Sequence, residues 1–174
     1  MDVFAELLKL VVPAGLVLYG MYVTVKLMLE RETEKQRTEN RNRYTDEMIP
    51  LRLQAYERMA LFLERITPNN LLLRLSGEAP TTLDFQQLLL REIREEYNHN
   101  VTQQIYMSQQ VWNQVQNAMN EVVALINEAA SELAPEAPAI DLSKKIFDKV
   151  IQQNAQPTIN ALNAVKEEVS STFM

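Results

Sequence analysis

The residues best placed to do chemistry in this 174-residue chain are Glu92, Glu95, Glu96 and His99, the last being its only histidine. Glu96 and His99 stand at i and i+3, the spacing by which ferritin-like bundles bring a carboxylate and an imidazole onto one metal ion. A di-metal centre needs two such pairs, and one chain supplies one, so only a symmetric dimer would complete it. The competing reading is a structural histidine, bonded to a neighbouring carboxylate or backbone oxygen where the helix loosens around Asn98, His99 and Asn100. We adopt the second reading and expect no metal or other cofactor.

Other chemistry finds less support. The chain has no cysteine, which removes disulfides, thiolate metal sites and a Cys nucleophile. It contains no G-x-S-x-G elbow, no S-x-x-K and no Ser/His/Asp set in plausible context. Three glycines are too few for Gly-rich phosphate-binding turns or for most antiparallel β folds. A net charge of −6 disfavours nucleic acid as a partner, because phosphates must be neutralised by basic surface. No catalytic site and no small-molecule substrate are expected.

The elements that carry these residues read as helices throughout. Hydrophobic residues make up 47% of the chain, too many for disorder, and no strand-like alternation or 20–50-residue repeat is evident. From Leu10 to Val25 there is no charge, and Lys9 and Lys26 bracket the run. Extended to Leu29 it would span roughly 30 Å as a helix, the thickness of a bilayer core, so a single transmembrane anchor is expected over residues 1–29. Arg31, Lys35, Arg37, Arg41 and Arg43 follow the run, whereas Lys9 alone precedes it. The positive-inside rule then places the N-terminus outside and the rest in the cytoplasm. Tyr19 and Tyr22, three apart beside Gly20, suggest packing of this helix against another.

Residues 30–48 are almost wholly polar and read as a charged helical stalk, with Glu and Lys/Arg interleaved and Pro50 ending it. Residues 49–174 read as a helical bundle. Ala55, Met59, Phe62 and Ile66 define a core-facing stripe widened by Tyr56 and Leu63. Asn70 is the expected cap of a short turn, Thr81 or Thr82 the cap of a helix through Phe85, Leu89, Ile93 and Tyr97. The best-patterned segment follows: Ile105, Ser108, Trp112, Val115, Met119, Val122, Ile126, Ala129 and Leu133 recur at alternating spacings of three and four. Sustained over four heptads, that is a bundle helix or a coiled-coil strand. Whether residues 83–133 form one helix or two is open at this stage. Pro135 and Pro138 stop the pattern. Asp141 or Ser143 opens a helix with Ile146, Phe147, Val150 and Ile151 inward. A last helix from about Pro157 uses Ile159, Leu162, Val165, Val169 and Phe173. Gln and Asn are frequent around Gln103–Asn117, as solvated surface or as hydrogen-bonding positions at an inter-chain seam.

Two strings carry a resemblance. IPLRLQAYERMALFLERITPNNLLLRL (49–75) and EEYNHNVTQQIYMSQQVW (95–112), with LSKKI (142–146), resemble an uncharacterised family of small membrane proteins from Bacteroidota. The resemblance implies an N-terminal span, a charged stalk, an all-α domain and a bacterial inner membrane, but no activity. It marks Tyr56, Glu57, Arg58, Glu64, Arg65, His99, Asn100, Gln104 and Tyr106 as positions within the strings, forming a buried polar network or a docking face. The expected function is therefore a non-enzymatic accessory or scaffold subunit of an inner-membrane complex, acting by helix–helix interaction. Its partners would be other membrane subunits, a second copy of itself, and inner-membrane lipid. The alternatives are a self-assembling coiled coil built on the Ile105–Leu133 seam, and a metal-dependent bundle enzyme.

Overall fold

The computed structural model describes the backbone of residues 2–152 and 156–173, and side chains within 15–36, 47–152 and 156–172. Among the described residues the fold is all-α. The helices are α1 (Asp2–Ile66), α2 (Pro68–Arg74), α3 (Thr82–Asn100), α4 (Gln109–Ser131), α5 (Ala139–Gln152) and α6 (Pro157–Phe173), with a 3-10 segment at Val101–Tyr106 between α3 and α4. The chain divides into two compact units, residues 1–49 and 50–174.

In the first unit the described side chains are almost all exposed, including Leu16, Val17, Leu18 and Leu29. The membrane-anchor expectation is overturned here: among the described residues no helix is long and apolar enough to cross a membrane. Any stretch long enough to span that lies within the described side chains, 15–36, takes in Lys26, Glu30, Arg31 and Glu32. Residues 10–14 and Lys9 lie outside the described side chains. With the span go the single-pass inner-membrane location and the orientation built on it, N-terminus outside and bundle in the cytoplasm. Pro50 does not end a helix either, because α1 continues through it to Ile66.

The second unit is a helical bundle. On α1 the stripe Ala55, Tyr56, Met59, Phe62, Leu63 and Ile66 is buried at helical spacing, as the sequence pattern predicts. It joins Phe85, Leu89 and Ile93 of α3 in one apolar core. The seam on α4 is core too: Trp112, Val115, Val122 and Ile126 are buried, and Met119 and Leu133 pack partly buried against them. α4 packs against α6, α3 and α5, so its apolar face is consumed within one chain. An aromatic ladder ties three helices together. The Phe62 and Tyr97 rings lie 6.2 Å apart and tilted, and Tyr97 stacks on Trp112 at 5.8 Å. Such pairs contribute roughly 0.5–1.5 kcal/mol each beyond the burial of their surface. Gln116 donates to the Tyr97 hydroxyl at 3.1 Å, satisfying the polar end of the ladder.

Residues 83–133 are two helices. α3 ends at Asn100, the 3-10 segment follows, and Ser108 caps α4 by accepting from the Val111 N–H at 3.3 Å. Ile105 belongs to the 3-10 segment and is 74% exposed, so the seam starts later than its spacing suggests. The loop before α3 pairs with the loop before α5: Thr82 N–H donates to Ala137 O at 2.8 Å, and Ala139 N–H to Pro80 O at 3.2 Å. Thr81 caps α3, accepting from the Asp84 N–H at 3.2 Å while its hydroxyl donates to the Asp84 carboxylate at 2.8 Å. Thr81→Ala is expected to cost about 1 kcal/mol, seen as a lower denaturation midpoint at unchanged slope.

Several local expectations change. Asn70 caps nothing; its amide reaches back to Glu64 O at 2.9 Å, and α2 instead begins with Pro68 after Thr67. α5 starts at Ala139, with Asp141 already in its first turn. Its buried residues are Leu142, Ile146 and the stem of Lys149; Phe147 and Val150 pack partly buried against the core, and Ile151 alone of the expected set is exposed, at 76%. On α6, Ala161 and Val165 are buried and Ile159 is largely exposed. The Phe173 side chain lies outside the described residues.

Candidate functional site

Two groups of polar residues in the bundle stand out by position. The first gathers on Glu168, which α6 presents to α1 and to the start of α4. The Tyr56 hydroxyl donates to its carboxylate at 2.6 Å and the Ser108 N–H at 2.8 Å, and the Ser108 hydroxyl donates to its other oxygen. Arg52 completes the group. Its guanidinium donates to the Tyr56 hydroxyl at 2.9 Å and to Tyr106 O at 3.0 Å, and it lies 3.9 Å from Glu168. Burial alone would raise the Glu168 pKa. The donors from Ser108 and Tyr56, with Arg52 behind them, outweigh that and hold the carboxyl below its ordinary value. Burial, and then the adjacent Glu168 carboxylate, push the Tyr56 phenol above its usual value. A carboxylate that already accepts three hydrogen bonds and stays ionised is a poor proton acceptor, so this group is a clamp rather than a general base. Because Ser108 is also the α4 cap, one hydroxyl couples the start of α4 to α6.

The second group lines a groove of about 350 Å³ between α1 and α3, formed by Gln54, Glu57, Arg58, Leu61, Phe62, Arg65, Glu96 and Asn100. Arg58, Leu61 and Arg65 share one face of α1 at i, i+3 and i+7. Arg65 is committed to Glu96 at 2.8 Å, and Asn100 donates to Glu96 O at 2.8 Å. Arg58 is exposed and has no carboxylate within ion-pair distance among the described residues. Leu61 is 55% exposed beside it, above the fully buried Phe62.

The residues singled out from sequence therefore separate. Tyr56 and the Tyr106 backbone belong to the clamp, whereas Arg58, Arg65 and Asn100 line the groove. Gln104 is exposed outside both. His99 is exposed and its Nδ1 lies 3.0 Å from Glu95 O, so the ring bonds to the backbone of its own helix. Glu96, the other half of the E-x-x-H spacing, faces Arg65 instead. Among the described residues no group of three or more His, Cys, Asp or Glu side chains is placed to hold a metal ion. In the first unit Tyr19 and Tyr22 are exposed, and the Thr24 hydroxyl donates to Gly20 O at 2.7 Å within the helix.

Sequence reasoning did not single out Glu168, Arg52 or Lys149. The Lys149 ammonium sits on α5 at 2.6 Å from both Glu128 and Glu132, with Lys145 also on Glu132 at 2.5 Å. Hydrogen bonds from Lys145 and then Lys149 bring the Glu132 pKa down to about 2, and the two carboxylates raise that of Lys149. This network fastens the end of α4 to α5. The signal available in sequence was the place of Lys149 on an otherwise apolar face, three residues after Ile146.

The family model described as "Family of unknown function (DUF7935)" matches residues 2–172, nearly the whole chain, and the chain belongs to that family. No curated protein and no solved structure matches it.

Proposed function

We propose that this member of the family of unknown function is a non-enzymatic docking subunit, an accessory or scaffold protein that binds another protein through the α1–α3 face of its bundle. The observation that carries the reading is Arg58, an exposed guanidinium without an ion-pair partner among the described residues, set beside the exposed Leu61 on the rim of the groove. Exposed arginine next to a protruding apolar residue is the composition of interface anchors, where the guanidinium and the side chain over which it lies become desolvated together. The partner that fits is a helical or extended segment carrying a carboxylate for Arg58 and an apolar side chain for Leu61. Arg65, Glu96 and Asn100 are engaged with one another or with backbone, which leaves Arg58 and Leu61 to meet a partner.

Arg58→Glu tests the reading. The substitution is on the surface, so the bundle should keep its melting temperature, while affinity for the partner should fall by at least about tenfold. Quantitative mass spectrometry of proteins co-purifying with wild type and variant reads the effect. A specific protein depleted with Arg58→Glu agrees with the proposal. An identical set of co-purifying proteins contradicts it.

A further inference from the structure

The last helix is held differently from the rest of the bundle. The inward stripe of α6 is Thr158, Ala161, Val165 and Glu168, at spacings of three, four and three. Ala161 and Val165 are its only fully buried apolar members, with Leu162, Ala164 and Val169 partly covered beside them. The core instead takes Met59, Phe62 and Ile66 from α1, Leu89 and Ile93 from α3, and Leu142 and Ile146 from α5. Burial of apolar area is what docks a helix, and α6 gains least from it. Polar groups tie its two ends. The Thr158 hydroxyl lies 2.8 Å from that of Thr67, just past α1, and Glu168 accepts from Tyr56 of α1 and from Ser108 before α4. These ties lay α6 antiparallel along α1.

We infer that α6 is a releasable strap, which lifts off as one unit while α1, α3, α4 and α5 stay packed, with Glu168 as its latch. Sub-global opening is drawn from elements with few buried apolar contacts. A carboxylate and a threonine hydroxyl regain hydrogen bonds from water on leaving, whereas a leucine or phenylalanine has no such compensation. The helices left behind keep their own supports. Ser108 still caps α4 through the Val111 N–H, and Arg52 still donates to the Tyr56 hydroxyl. Release bares the apolar bodies of Tyr56 and Val111, both buried while the strap is closed. The α1–α3 groove includes no residue of α6, so this inference and the docking proposal stand or fall independently.

Native-state hydrogen exchange on the full chain, resolved residue by residue by NMR, tests the inference. Amides from Ala161 to Val169 should share one opening and exchange at least about tenfold faster than core amides of α3 and α4. Their rate should also respond less to added denaturant, because lifting one helix exposes less surface than unfolding the chain. Two substitutions separate strap from core. Glu168→Gln should speed exchange in α6 at least about tenfold; should it fold poorly, Tyr56→Phe takes its place. Ile146→Val thins the core at α5, so it should speed exchange in α3 and α4 and leave α6 unchanged. Exchange in α6 that matches α3 and α4 in rate and denaturant response overturns the inference. So does a gradient of fraying toward the C-terminus in place of one shared opening, an Ile146→Val variant that speeds α6 equally, or a latch variant that leaves α6 unchanged.

Discussion

Ile126→Asp is expected to unfold the bundle. Ile126 is 2% exposed on α4, within the core shared with α3, α5 and α6. The substitution removes a buried aliphatic side chain and puts a carboxylate in its place within the apolar core. The two effects together cost more than about 4 kcal/mol, a large part of the 5–15 kcal/mol that typically holds a domain of this kind together. Circular dichroism should show lost helicity and a lost cooperative melt. The coiled-coil alternative makes the opposite forecast, a drop in mass with helicity kept, so one variant separates intramolecular core from inter-chain seam.

Removing the Glu168 carboxylate should have the next largest effect. Glu168→Ala removes the acceptor shared by the Tyr56 hydroxyl and the Ser108 N–H and hydroxyl at the junction of α1, α4 and α6, while Arg52 keeps its bonds to Tyr56 and the Tyr106 carbonyl. Loss of about 2–4 kcal/mol is expected, read from chemical denaturation at neutral pH. Tyr56→Phe removes one donor and should cost about 1–2 kcal/mol. Because the two groups touch, their effects should fall short of additive by about 0.5 kcal/mol or more in a double-mutant cycle. Acid gives a second readout. The folded-state pKa of Glu168 is depressed, so its stabilising contribution is fully present above the unfolded carboxylate value of about 4.3. It is lost as pH falls through the lower, folded value. Glu132, near 2 in the folded state, acts in the same direction. Wild-type stability should therefore fall as pH drops below about 5, and Glu168→Gln should flatten part of that slope. A slope identical in the two proteins would show that the clamp is not what titrates.

Much of the bundle was legible in the sequence because its signals are local. The Ala55–Ile66 stripe, the Thr81 cap and the period of α4 are each set within a few turns of one helix. What was hidden is non-local. Tyr56 and Glu168 are 112 positions apart, and no periodicity in α1 announces a carboxylate on α6. Lys149 was not singled out for a related reason: the two glutamates that meet it lie at the end of α4, and nothing in α5 announces them. Ile105 keeps the heptad spacing but not the helix, since the chain tightens into a 3-10 turn before Ser108 restarts it. Of the candidate site, Arg58, Arg65 and Asn100 were found in the sequence, but their convergence depends on how α1 and α3 pack.

The central claim, that the bundle works by docking a protein on the α1–α3 groove, is tested most directly by photo-crosslinking from Leu61. A photoreactive phenylalanine analogue at position 61, irradiated in living cells, should give one discrete adduct identifiable by mass spectrometry. The same residue at Asp148, exposed on α5 and outside the groove, should not give that adduct, and adding Arg58→Glu should abolish it. An adduct pattern indistinguishable between positions 61 and 148, or unchanged by Arg58→Glu, would contradict the claim.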